Sequence, residues 1–348
     1  MGSLSRKAAA VFLASALAVL VGVAGPATAA PPVPSTVMTC SKLAAATNPP
    51  ASFPVPVSQR YAPATETRHF PGIPSADVIR MAGGIVCEWS DGRILDGPGG
   101  VASVGIRVEY LPYAESGYWR WAAWGGITAP ESLDCFIGYC QLMSAAGGDF
   151  LYIGIEGASS DAVASDLAAA IRVALQLGLK TPYVRPTYAT ELDRTCDQIV
   201  RPVVWRAAVA SPVGLRTFSI PQGWSVVNSA MLATRAPACV YSDATGARAA
   251  GLMWTLPGGR WSFLTLAPLF TSPGPLTAIS VPGMAPGDTA YTRCDTLHTH
   301  CILDALIATH WVQIDLADAG SGGGLIRTDR LAAMTPLLSE IVLQTYSP

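Results

Sequence analysis

The sequence predicts an α+β protein made of two tandem similar domains, each a mainly antiparallel sheet covered by a short N-terminal helix and a longer C-terminal helix and stapled by disulfides. Three observations predict it. The eight cysteines fall into two quartets of the same order and similar gaps: Cys40, Cys87, Cys135 and Cys140, then Cys196, Cys239, Cys294 and Cys301. The text around them echoes, Cys87-Glu88-Trp89-Ser90-Asp91 against Cys239-Val240-Tyr241-Ser242-Asp243. After each close cysteine pair comes an alternating run, and Leu151, Ile153 and Ile155 map onto Val312, Ile314 and Leu316 with the offset that relates Cys140 to Cys301. A slip of one residue would turn every inward side chain outward, so this agreement fixes one register.

Residues 1–29 read as an export signal, because Arg6 and Lys7 precede an apolar run that ends in a small-residue Ala27-Thr28-Ala29 cleavage pattern. A Pro-rich lead-in covers 30–38. The first domain, 39–178, opens at Cys40 on a short helix, and the matching segment is Cys196-Asp197-Gln198-Ile199-Val200. Ile85 to Trp89 is a strand closed by the turn residues Ser90-Asp91-Gly92. Val104, Ile106, Val108 and Tyr110 alternate with polar residues, the period of a strand buried on one face. Gly251 to Leu256 is its expected counterpart, with Trp261 to Leu266 a further strand. Ser160 caps a helix whose Val163, Leu167, Ile171 and Ala174 share a face, and Gly178 stops it. In the second domain, 195–348, Thr328 is the expected cap of a helix with Leu331, Met334, Leu338 and Ile341 on its stripe; Pro336 kinks it or marks a later start capped by Thr335. The linker falls at 179–194, which holds Pro182 and Pro186 and no periodicity.

An even cysteine count in an exported chain implies disulfides. If each quartet pairs within itself and the halves agree, three schemes remain, and the close pairs favour Cys40–Cys87, Cys135–Cys140, Cys196–Cys239 and Cys294–Cys301. The competing chemistry is zinc, for which Cys294, His298, His300 and Cys301, with His310 beyond, make a plausible inventory. The matching segment from Cys135 to Cys140 has no histidine, so the disulfide reading is taken, with no metal and no cofactor.

Removing the signal lowers Lys+Arg from 22 to 20 against 24 Asp+Glu, a balance that speaks against a nucleic-acid partner. The mature chain is expected to have no membrane span. No nucleophile elbow or phosphate-cradling loop appears. Glu109, Glu115 and Glu131 could supply paired carboxylates for glycan hydrolysis, though spacing alone does not bring any two together. The one aromatic cluster that suggests a ligand is Tyr118, Trp119, Arg120, Trp121 and Trp124, whose rings could stack on a sugar or a peptide side chain while Arg120 reaches an anion. The competing and preferred reading is that these rings are simply the core of a domain with little Phe.

The pattern of an opening cysteine on a short helix and a later Cys-x-aromatic closing a strand, as in Cys87-Glu88-Trp89 and Cys239-Val240-Tyr241, resembles a loose group of exported actinobacterial proteins and lipoproteins of unknown function. That resemblance implies an α+β fold with a stapled helix and strand, and implies no activity. The function expected is a secreted or cell-wall-associated noncatalytic module that binds cell-wall glycan or an envelope protein. The alternative is a secreted hydrolase of cell-wall glycan or peptide.

Overall fold

The computed structural model describes residues 38–54, 58–60, 73–91, 104–125, 133–136, 138–178, 195–219, 225–266, 269–270, 272–317 and 324–347. The export segment, the linker at 179–194, His69 and Glu131 lie outside them, as do the side chains of Arg120, Trp121 and Trp124. The fold is α+β with two antiparallel sheets among the described residues.

The first half runs α1 (Cys40–Thr47), β1 (Ser58–Arg60), α2 (Ser75–Met81), β2 (Ile85–Ser90), β3 (Gly105–Leu111), α3 (Glu115–Gly125), β4 (Asp134–Phe136), β5 (Tyr139–Ser144), β6 (Phe150–Glu156) and α4 (Asp161–Leu177). Its sheet has the order β1-β2-β3-β6-β5-β4. The second half runs α5 (Cys196–Ile199), α6 (Pro202–Ala208), β7 (Arg216–Ser219), α7 (Val226–Thr234), β8 (Ala238–Ser242), β9 (Ala249–Leu256), α8 (Arg260–Leu266), β10 (Thr277–Ile279), β11 (Thr289–Cys294), β12 (His300–Ile307), β13 (His310–Ala317) and α9 (Arg330–Tyr346). Its sheet has the order β7-β8-β9-β13-β12-β11-β10. Apart from short 3-10 turns at Pro49–Ser52 and Ala146–Gly148 in the first half and the added α6 and β10 in the second, the described helices and strands of the two halves follow in the same succession and strand order.

The match extends to register. Across the first sheet Cys87 faces Val108, Val108 faces Ile153 and Ile153 faces Leu142. Across the second, Cys239, Met253, Ile314 and Leu303 make the same row. Helix ends match too: α2 closes with Gly83 in the left-handed region and Gly84 N–H donating to Ile79 O at 2.9 Å, and α7 closes with Arg235 left-handed and Ala236 N–H donating to Met231 O at 2.9 Å. Both are Schellman closures, which satisfy carbonyls the helix would leave orphaned.

The cysteines pair as 40–87, 135–140, 196–239 and 294–301. The long bridges tie α1 to β2 and α5 to β8, with Cα atoms 5.4 and 6.2 Å apart. The short ones join residues directly opposite on β4–β5 and β11–β12. A loop of 47 residues closed by Cys40–Cys87 should contribute about 4 kcal/mol, and the short loops about 2 each, by the chain-entropy model.

Ser160 caps α4 by accepting from Val163 N–H at 3.3 Å. Two sequence expectations need correction. The cap of α9 is Asp329, not Thr328, accepting from Ala332 N–H at 3.2 Å, and the helix continues through Pro336 without restarting at Thr335. Residues 260–266 form helix α8, not a strand, because Phe263 and Leu266 lie one turn apart and are buried together.

Each sheet buries one face under its own helices. Cys87, Val108, Ile153 and Leu142 pack with Leu43 of α1 and Leu167 and Ile171 of α4. Tyr241, Met253, Ile314 and Leu303 pack with Trp205 of α6 and Leu338 and Ile341 of α9. The opposite faces meet in a third core, shared by both halves, into which α2, α3, α7 and α8 send Ile79, Tyr118, Ala230 and Phe263 between Phe150 and Trp311. Of the opposite phase of β2 and β3, Val86 and Leu111 reach the shared core, while Glu88 and Glu109 are buried as charged groups around Arg107.

Candidate functional site

The shared core sets two seams, one on each side of the packed helices α2 and α7. Leu111 pairs with Phe150 on β3–β6, and Leu256 pairs with Trp311 on β9–β13, so these positions correspond. One step further along the chain, Leu111-Pro112-Tyr113 answers Leu256-Pro257-Gly258. The rings follow: Tyr118 meets Phe150 edge-on at 5.8 Å and 86°, and Phe263 meets Trp311 edge-on at 5.7 Å and 84°. By the same count Ser116 stands where the second half has Trp261, and Gly117 where it has Ser262. From the helix closures, Asp77 of α2 corresponds to Ser229 of α7, and Arg80 to Leu232.

Among the described residues the seam between α2 and α8 is closed by side-chain contacts. Ser262 Oγ donates to Asp77 Oδ2, both groups buried, and Arg80 holds the other carboxylate oxygen at 3.2 Å. Trp261 is half-buried and packs against the shared core. The seam between α7 and α3 is open. It holds a groove of about 450 Å³ lined by Ala82, Leu111 to Ala114, Ser116, Gly117, Ser229, Leu232 and Ala233. Here the helices touch through glycine: a Cβ added to Gly117 would overlap Ser229 Oγ and lie 2.8 Å from Ser229 Cβ. Only a residue without a side chain allows this approach.

At the groove's mouth stands Tyr113, 56% exposed, with φ of 58°. A left-handed backbone at a bulky residue is uncommon and costs roughly 1–2 kcal/mol. Gly258 takes the same conformation at the matching place, φ 70°, without that cost. The strained turn is held from below by Asp149, a buried carboxylate that accepts from Tyr113 N–H at 3.1 Å and Tyr110 O–H at 2.9 Å. Burial, reinforced by Asp149, pushes the Tyr110 hydroxyl well above its ordinary pKa, so it stays a donor.

Of the aromatic cluster, Tyr118 is core at 1% exposed, while Trp119 lies outside at 48%, its indole N–H donating to Glu115 at 2.9 Å. The structure thus divides the cluster. A helix turns adjacent residues about 100° apart, so one ring enters the core as its neighbour leaves it. Sequence reasoning missed Tyr113, Ser116, Gly117, Asp149 and Ser229. The aligned Leu-Pro dipeptides with Tyr against Gly after them were the available signal.

The histidines are dispersed. His298 Nδ1 lies 2.9 Å from Asp329 Oδ2, and that contact holds the Asp329 carboxyl below its ordinary range. His300 Nε2 lies 3.0 Å from Asp315 Oδ1, and His310 Nδ1 accepts from Gly258 N–H at 3.3 Å. Cys294 and Cys301 are bonded to each other. Among the described residues the group of three side chains close enough to share a metal ion is Cys135, Cys140 and Asp161, whose two sulfurs are spent on a disulfide. Glu109 is engaged by Arg107 at 2.8 Å, which also faces Glu88 at 3.8 Å. The second sheet carries a comparable buried pair, Arg293 and Asp304 at 2.8 Å, with Trp311 Nε1–H donating to the same carboxylate at 3.2 Å.

No family model, no curated protein and no solved structure matches this chain. Among the described residues no helix is long and apolar enough to cross a membrane.

Proposed function

We propose that the chain is a secreted or cell-wall-associated noncatalytic module, two tandem copies of one disulfide-stapled unit, that binds a polymer or protein partner in the groove beside α3. The observation that carries this reading is Tyr113: an exposed ring held in a costly backbone conformation at the mouth of a groove, where the matching turn uses glycine and the matching seam is closed. Strain of this kind persists where the surrounding structure over-determines it, and it clusters at ligand sites. The groove's volume is in the range of ligand pockets. Four bridges suit an oxidising compartment, as the export signal requires. A hydrolase is less well supported, because the candidate carboxylates Glu109 and Glu115 are engaged by Arg107 and Trp119.

The test is binding of the mature protein to the envelope fraction of its own producing cells, for wild type and for Tyr113→Gly. Glycine relieves the left-handed strain, so thermal stability should hold or rise by about 1 kcal/mol while binding falls about tenfold. Absence of saturable binding by the wild type, or equal binding by Tyr113→Gly, would end this reading.

A further inference from the structure

We infer that the groove receives an aromatic side chain, an indole or phenol ring presented by a partner polypeptide, in the place that Trp261 occupies for the second half. The inference rests on the reading of the groove as a binding site and specifies what enters it.

The second half shows what this scaffold does with the corresponding space. There, residue 261 is a tryptophan packed on the shared core, directly before the Ser262 that bonds Asp77. In the first half the same helix position is Ser116, the next is Gly117, and the facing residues are Ser229 and Leu232 in place of Asp77 and Arg80. Each change removes bulk or charge, and the volume they vacate is the groove. What remains is a mixed wall, with Ala82, Leu111, Pro112, Ala114, Leu232 and Ala233 beside the polar Tyr113, Ser116 and Ser229. The Ser229 hydroxyl already donates to Ser225 O at 3.2 Å. The matching position of the second half already takes an indole, packed on the apolar side chains of the shared core. Tyr113 at the mouth adds a flat face against which an entering ring can pack.

The experiment uses the full mature protein, uniformly ¹⁵N-labelled and titrated with N-acetyl-tryptophan amide. Saturable amide shifts are expected at Ser116, Gly117, Leu232 and Ala233. In Ser116→Trp, which places the second half's residue in the groove, the apparent affinity should drop more than tenfold with the melting curve retained. Should Ser116→Trp fail to fold, Leu232→Arg, which imports the residue of the closed seam, must give the same loss. Unmoved amides, or shifts that persist in a folded blocking variant, would overturn the inference. Chito-oligosaccharide is titrated in parallel: shifts with the sugar and none with the tryptophan amide would overturn the aromatic assignment and leave the groove as a binding site. Shifts with the tryptophan amide and no envelope binding by the wild type would do the reverse, sustaining the aromatic site and removing the proposed role.

Discussion

The two seams of this molecule are built from matching helices on matching sheets, and one is closed while the other is open. Around α8 the closure is polar: a buried hydroxyl–carboxylate pair, with Arg80 on the second oxygen and Trp261 beside it. Around α3 the contact is steric, Gly117 against Ser229, with a groove left next to it. The difference arises from a handful of side chains rather than from the backbone, since strand register and helix closures agree between halves. A buried carboxylate must keep its partners, so the closed seam tolerates little change. An interface of small residues has no such obligation and can be left incomplete for a ligand.

Four experiments sharpen or break the comparison. The largest effect concerns the staples that should act alike in both halves. Paired Cys→Ala replacement of 40 with 87, or of 196 with 239, should each cost about 4 kcal/mol, against about 2 for either short bridge, in urea unfolding. Costs for the two long bridges that differ by more than about 1 kcal/mol would show that the halves are not energetically equivalent. Next, Gly117→Ala should cost about 2 kcal/mol through overpacking against Ser229, and Ser229→Gly should restore most of it. A double-mutant cycle without coupling would refute the close contact.

Asp77→Ala should cost about 1–3 kcal/mol because it strands the buried Ser262 hydroxyl and removes a carboxylate from Arg80, whereas the matching Ser229→Ala should stay within about 0.5. Equal costs in thermal melts would erase the distinction between a polar and a steric seam. The smallest effect is on pH. Burial pushes the Glu340 carboxyl up, but hydrogen bonds from Arg201 at 2.5 and 2.9 Å and from Gln344 at 3.0 Å prevail and hold it below its usual 4.5. A lowered carboxyl contributes stability above its unfolded pKa and loses it as pH falls through the folded value. Glu340→Gln should therefore cost about 1 kcal/mol at pH 7, a modest figure because Arg201 is half-exposed, and progressively less as the pH is lowered below 4.5. A cost that does not fall on acidification would remove the ion pair as its source.

Much of the fold was legible because its signals are local or covalent. Cysteine order, the turn after Cys87 and the alternation around Ile153 and Ile314 are each carried by residues adjacent in the chain or one strand step apart. The failures are equally instructive. The stretch from Trp261 to Leu266 is too short for its period to separate helix from strand, and tertiary packing of Phe263 on Trp311 decided for helix. Pro336 sits inside α9 because the helix's buried stripe of Met334, Leu338 and Ile341 outweighs the lost hydrogen bond. For the site, the sequence drew attention to Tyr118 through Trp124 but could not say which rings face inward. It gave no weight to Tyr113, whose importance lies in a backbone angle.

By itself, then, the sequence determined the cysteine pairing, the antiparallel sheets and the helices that cover them, because hydrophobic period and covalent spacing are properties of short stretches. Only the tertiary structure decided that the remaining sheet faces share one core, and that one seam is bolted by Asp77 and Ser262, 185 residues apart, while its counterpart is left as a groove. Such contacts join distant residues across helix faces, and no periodicity within either segment encodes which partner will stand opposite.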